Sequence, residues 1–234
     1  MEVNETVLQE RKNSGTAWTN NKSFEQNGYL IFKNLWDAKE LYHPVPKERG
    51  QINYNGKTVE QYTFIPIEAQ VEGSLARYWH PQYREIHKQI KFKLEKVIGR
   101  SLYPTYYYDR FYFPGQELKK HVDRDACEIS VTVHIGTNLK GKNKNWPIWI
   151  KTPDIYSDTT KKEVLKEGEE HQLILNPGDG VIYKGCERPH WREPMPGLNL
   201  KSTKNNKEFY YHQIFFHYVL QDGQRAHCAF DAAR

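Results

Sequence analysis

Between residues 103 and 219 the chain is a succession of short runs rich in aromatic and β-branched residues, each closed by a turn signal. YPTYYYDRFYF ends at Pro114-Gly115, CEISVTVHIG is β-branched at strand length, and WPIWI (146 to 150) is another such run. NPGDGVIYKG reads as a turn, a short strand and a second turn, and FYYHQIFFHYVL is a final strand. Runs of this length with period-two patterning bury one or both faces of a sheet, and they are too short for a helical bundle. The expectation is a closed or sandwiched β core.

Two short segments within this core carry metal-binding chemistry. His121-Val122-Asp123 presents an imidazole and a carboxylate at alternate positions, which an extended chain turns to the same side. His190 follows far downstream in GCERPHWREP. Two histidines and one carboxylate on one side of an ion leave its other positions open, the arrangement used by non-haem Fe(II) oxygenases. His134, His212 and His217 also lie in strand runs, but a strand histidine more often bonds a neighbour, and these are read as structural.

The segments DRFYFPGQELKKHVDRDACEISVTVHIG, WPIWI and NPGDGVIYKGCERPHWREPMPG together resemble the Fe(II)/2-oxoglutarate-dependent dioxygenase superfamily in its prolyl-4-hydroxylase-like branch. The resemblance covers about half the chain. It implies a mainly β fold, a double-stranded β-helix or jelly roll with N-terminal helices packed on one side, and makes His121, Asp123 and His190 the iron ligands. It implies Fe(II) as cofactor and 2-oxoglutarate and O2 as co-substrates, giving hydroxylation of an unactivated C–H bond with succinate and CO2 as co-products. The substrate it implies is a peptidyl proline, an amino acid or a small metabolite, selected by the loops 138 to 145, 151 to 170 and 198 to 207.

Such an enzyme must also hold the distal carboxylate of its co-substrate, a task for a charge-assisted pair with Arg or Lys. The family's base lies about ten residues after the last histidine; here that position is Leu200, so Lys201 and Arg192 are the neighbouring candidates. Related alkylation-repair demethylases carry N-x-Y-x-x-G before H-x-D. This chain has Arg110-x-Tyr112-x-x-Gly115 at the same distance, which makes Tyr112 and Arg110 co-substrate candidates. Arg124, Glu128 and Trp191 flank the ligands and are candidates for orienting them or for touching substrate, while Trp146 and Trp149 are read as packing residues.

Composition bounds the rest. Residues 1–23 are polar and read as a tail, leaving 24–234 as a single domain. Ile86, Ile90, Leu94, Val97 and Ile98 recur at helical spacing between His80 and Gly99. The net charge of +5 comes from 34 basic and 29 acidic residues, an excess too small to call for nucleic acid. The three cysteines show no CxxC spacing, which argues against a disulfide framework or structural zinc. No apolar run at the start reads as a signal peptide and none reaches membrane-spanning length, so the expectation is a soluble cytoplasmic protein without a membrane partner. Three other readings of the same residues are a nucleic-acid demethylase of the superfamily, a cupin-like iron enzyme without 2-oxoglutarate, and a non-catalytic jelly-roll binding module.

Overall fold

The fold was analysed in a computed structural model, which describes residues 19–42, 52–54, 57–59, 70–157, 159–160, 163–197 and 209–231. It is a mainly β jelly roll. A six-stranded antiparallel sheet has the order β1 (Tyr29–Phe32), β12 (Gly180–Tyr183), β7 (Ile129–Thr137), β14 (Tyr211–Leu220), β5 (Leu102–Tyr112), β4 (Leu75–Tyr78). A smaller sheet has the order β11 (Glu170–Leu173), β8 (Ile148–Lys151), β13 (His190–Arg192), β6 (Leu118–His121). From β5 onward the chain keeps crossing between the two sheets. Two hairpins, β2 (Ile52–Tyr54) with β3 (Lys57–Val59) and β9 (Ile155–Tyr156) with β10 (Val164–Lys166), lie outside them.

The large sheet is buried on both faces, and the faces differ in chemistry. Ile129, Val131, Val133 and Ile135 of β7 and Ile214, Phe216, Tyr218 and Leu220 of β14 join one apolar cluster with Ile86, Ile90, Leu94 and Ile98 of helix α3 (Tyr83–Ile98). The alternate residues, Ser130, Thr132 and His134 of β7 and Gln213 and His217 of β14, are polar and equally buried. A polar group out of water must find a partner or a ligand, so this second face, turned to the inside of the roll, is where chemistry is to be sought.

Helix α3 covers the apolar face through residues four apart, the stripe read from the sequence, with Val97 only half-buried at its margin. It ends at Gly99, whose φ of 67° is the left-handed conformation open to glycine and whose N–H donates to the Glu95 carbonyl. His87 fastens the helix to β14 by donating Nε2–H to the His217 carbonyl, and Tyr218 donates its hydroxyl to the His87 carbonyl. Two short helices, α1 (Lys22–Asn27) and α2 (Ala38–Leu41), flank β1. Thr19, counted with the polar tail on composition, donates to Glu25, and the Asn20 N–H donates to the Ile98 carbonyl. Thr19 and Asn20 are thus bonded to the helices that flank the sheet.

The three cysteines are free thiols. No helix among the described residues is long and apolar enough to cross a membrane.

Candidate metal centre and the interior polar network

His121 and His190 face each other as direct partners between β6 and β13, with ring centroids 4.4 Å apart. Strand β6 ends at His121, and Asp123 lies just beyond it, fixed by an N–H bond of 2.8 Å to the Gly185 carbonyl. Its Oδ1 is 3.5 Å from Nε2 of both histidines. The three donor atoms lie within 4.8 Å of one another, the grouping expected from the sequence.

Both histidines are set in the tautomer a metal requires. Nδ1–H of His121 donates to the Lys119 carbonyl at 2.7 Å, and that of His190 donates to the Arg188 carbonyl at 3.0 Å. Each Nε2 lone pair is thereby aimed at the common centre. Burial works against the charge on Asp123, but His190 and His121 outweigh it and hold the carboxyl well below its usual range. Burial lowers His190 while Asp123 raises it, and the net shift is upward.

Gln70 was not singled out in the sequence, because it precedes β4 in a segment with no periodicity. Its amide donates to His121 Nε2 at 2.9 Å, and its oxygen accepts from Arg110 Nη1 at 3.0 Å. A metal bound by His121 takes over the lone pair that Gln70 holds.

From Arg110 a hydrogen-bonded chain crosses the interior. Arg110 Nη1 and Gln213 Nε2 both donate to the Tyr112 hydroxyl, at 3.2 and 3.3 Å, which leaves the hydroxyl's own hydrogen to be given elsewhere. Arg192 donates Nη2–H to Gln213 Oε1 at 2.7 Å and Nη1–H to the Trp146 carbonyl at 2.8 Å. Its guanidinium carbon lies 4.6 and 4.7 Å from the Trp146 and Tyr211 ring centres. Arg192 is 1% exposed and forms no ion pair among the described residues. Its Nε, the Tyr211 hydroxyl and His134 Nε2 are all buried without a hydrogen-bond partner. A buried cation that meets no carboxylate among the described residues, beside the unpaired Arg192 Nε–H and Tyr211 hydroxyl, is costly for a fold and is the expected lining of an anion site, while His134 Nε2 adds only a lone pair.

The other candidates fall differently. Trp191 turns away from the metal centre to the outer face of the small sheet, where it stacks on Trp149 at 5.8 Å beneath the Lys120 ammonium at 4.4 Å. Alternation along β13 explains this: His190 and Arg192 point in, so the residue between them points out. Arg124 is half-exposed and paired with Asp231 at 2.5 Å, its charge over the Tyr106 ring. Glu128 is fully buried, accepts the Leu220 N–H at 2.9 Å and lies 3.7 Å from Arg225, so it secures the end of β14. Lys201 lies outside the described residues.

The three histidines read as structural are all hydrogen-bonded. His134 donates to the Leu175 carbonyl at 2.8 Å, His212 to Asp109 at 2.8 Å, and His217 meets Ser130 Oγ at 3.0 Å. Burial pushes His134 and His217 each down to about 4, so both are neutral imidazoles at pH 7.

No family model and no curated protein matches the chain. Solved structures match most of its length at low identity. A Pseudomonas putida prolyl-4-hydroxylase is 12% identical with a TM-score of 0.53, covering 85% of this chain and 95% of that one. A prolyl hydroxylase from Trichoplax adhaerens, in complex with a hypoxia inducible factor peptide fragment, is 13% identical with a TM-score of 0.51 and 94% coverage of both chains. HygX from Streptomyces hygroscopicus, with nickel, 2-oxoglutarate and hygromycin B bound, is 9% identical with a TM-score of 0.53 and 86% coverage of both. The jelly roll of this chain is thus the fold of these two prolyl hydroxylases and of HygX.

Proposed function

We propose that the chain is an Fe(II)- and 2-oxoglutarate-dependent oxygenase that hydroxylates an unactivated C–H bond. The observation that carries this reading is the convergence of two Nε2 lone pairs and one carboxylate oxygen, of His121, His190 and Asp123, in a roll whose interior also holds the buried Arg192 guanidinium, which meets no carboxylate among the described residues. The donor set suits Fe(II) and leaves one side of the ion open. With O2 and 2-oxoglutarate, the iron would supply the oxidation of a C–H bond, with succinate and CO2 as co-products.

The protein's own residues have three tasks. The Lys119 and Arg188 carbonyls hold Nδ1–H of both imidazoles and so orient Nε2 towards the common centre. Arg192, with the Tyr211 hydroxyl, offers charge and donors to the distal carboxylate of the co-substrate, in place of the base expected ten residues after His190. Arg110 and Tyr112 stand between that end and the metal, with the tyrosyl hydrogen as a further donor. The buried guanidinium favours 2-oxoglutarate chemistry over a cupin-like iron enzyme that needs no dianion.

The substrate class is a peptide or a small molecule; proteins of this fold hold a peptide fragment in one structure and hygromycin B in another. The test is anaerobic. Fe(II) and 2-oxoglutarate added to the purified protein should give the visible charge-transfer band of the chelated complex, and His190→Ala should lose it. Iron binding without the band would refute the role of 2-oxoglutarate and leave the cupin-like reading.

A further inference from the structure

We propose that Ser130, oriented by His217 and walled in by Gly185, is a positioning residue that holds Oδ2 of Asp123, so that the carboxylate meets a metal ion through Oδ1 alone. The inference rests on the metal-site reading above. Ser130 Oγ lies 2.9 Å from Asp123 Oδ2, 3.0 Å from His217 Nδ1 and 3.1 Å from the Cys127 carbonyl.

A hydroxyl has one hydrogen. Neither the carboxylate nor the carbonyl can donate, so when Ser130 donates to Asp123 the proton between Ser130 and the imidazole belongs to His217 Nδ1. That fixes the tautomer and leaves His217 Nε2 bare, in agreement with its being buried without a partner. The Ser130 hydrogen is thus directed at Oδ2, while Oδ1 is the oxygen 3.5 Å from both ligand nitrogens.

Gly185 makes the arrangement steric as well as polar. A β-carbon at this position would fall on the Cys127 carbonyl oxygen, 2.5 Å from Asp123 Oδ2 and 2.6 Å from Ser130 Oγ. The same glycine accepts the Asp123 N–H through its carbonyl, so backbone and side chain of the ligand are fixed by one residue. Only glycine leaves room for the carboxylate to lie back against Ser130.

Asp123, Cys127 and His217 also bring three potential donors within 4.8 Å, which raises a second metal site as a rival. The hydrogen bonds count against it. His217 Nδ1 is engaged by Ser130, and Cys127 Sγ by the Tyr106 hydroxyl at 3.2 Å. The consequence of the single-oxygen mode is coordinative. A carboxylate bound through both oxygens would take a fourth position on the ion, whereas held by Ser130 the protein contributes three donors and no more.

The test is anaerobic titration of the full chain with Co(II), read by affinity and by the visible d–d spectrum, with the melting temperature of the metal-free protein as a fold control. Ser130→Ala and Gly185→Ala should each weaken Co(II) binding by about tenfold or more, the usual effect of losing a group that orients a ligand. Both should alter the spectrum. Thr105→Val, which deletes another buried hydroxyl bonded to the Ala126 carbonyl of the same turn, should change neither. Wild-type affinity and spectrum in Ser130→Ala would overturn the proposal. If Ser130→Ala does not fold, His217→Phe, which keeps the ring beside Tyr106 but loses the bond to Ser130, decides on the same two readings. A wild-type protein that takes up no Co(II) would overturn the metal site itself, and this role with it.

Discussion

Asp109 and Arg110 are neighbours on β5, and each anchors a buried network of charge on its own side of the sheet. On the helix side, Arg77 donates to both oxygens of Asp109 at 2.9 and 2.6 Å, and His212 adds a bond of 2.8 Å. On the inner side, Arg110 and Arg192 are bonded to Gln70, Tyr112, Gln213 and a main-chain carbonyl, all of them neutral groups. The first network is complete in the protein alone. In the second, the Arg192 guanidinium meets no carboxylate among the described residues, a state a fold does not gain from unless an anion arrives. Two guanidiniums equally out of water therefore have different meanings, and their partners tell which is structural.

This contrast is most easily broken by deleting one member from each side. Asp109→Ala strips Arg77 of its counter-charge and should cost on the order of 3–5 kcal/mol, read by urea unfolding. Arg192→Met should cost only about 1–3 kcal/mol, because it leaves the Gln213 and Trp146 oxygens without a donor but no buried counter-charge behind. The same substitution should weaken 2-oxoglutarate binding to the Co(II)-loaded protein by about 100-fold, the cost of removing one partner from a buried charge pair. Should Arg192→Met unfold the protein while Asp109→Ala is tolerated, the assignment of the two networks is reversed.

Acid sharpens the comparison next. Burial pushes His87 down to about 3 and His134 and His217 to about 4. The unfolded chain takes up these protons near pH 6.5, while the folded chain refuses them until pH 3–4. Between those values the unfolded state binds more protons, so stability is complete above about pH 6.5 and falls as the pH is lowered. Asp109 adds a later loss. Burial raises its pKa, Arg77 and His212 more than reverse that, and the net depression means its contribution fades only below the ordinary carboxylate range of about 4. Each histidine carries on the order of a few kcal/mol over this range, comparable together with the whole stability of an ordinary domain. Circular dichroism during acid titration should therefore show unfolding above pH 4, and a transition confined to lower pH would mean that the histidines are already protonated in the fold.

Adding 2-oxoglutarate should act on the inner network alone. At 100 times its dissociation constant it stabilises the metal-loaded protein by about 2.7 kcal/mol, a rise of roughly 5–11 °C in melting temperature for a chain of this length. Arg192→Met should show no such rise at the same concentration, whereas Asp109→Ala should keep it.

The two networks also differ in how far they could be read from sequence. The strand runs and helix α3 are local patterns whose spacing carries meaning, and they stand where they were expected; the H-x-D is weak by itself and is joined to its distant histidine through the resemblance, and the fold brings the three side chains together. Arg110 and Tyr112 share one face of β5 with Tyr106 and Tyr108, as alternation along a strand requires. The partners of those residues depend on register between strands far apart in the chain, such as Gln213 opposite Arg110, and register is not a property of either strand alone. Arg192 was weighed against Lys201, and Trp191 could have faced either way, until β13 was known to turn His190 inward. Ser130 and Gly185 gave no signal at all, because a serine in a strand and a glycine in a turn each have a bland reading.

Tyr112→Phe probes the join between the two arginines and carries the smallest effect. The tyrosyl oxygen accepts from Arg110 and from Gln213, so its loss leaves one donor on each without that acceptor, a cost of about 1 kcal/mol offset in part by the apolar ring. The ring itself still packs edge-on against Trp146 at 5.1 Å, so melting temperature should fall by only a few degrees. What the hydroxyl adds to ligand binding is its own hydrogen, which neither Arg110 Nη1 nor Gln213 Nε2, the two groups that face it, can accept. The half-saturating concentration of 2-oxoglutarate should therefore rise roughly tenfold, the worth of one hydrogen bond to an ionised group at the weak end of its range. An unchanged value would mean that the tyrosine only braces the two side chains, and that the inner network recognises the anion through its guanidiniums alone.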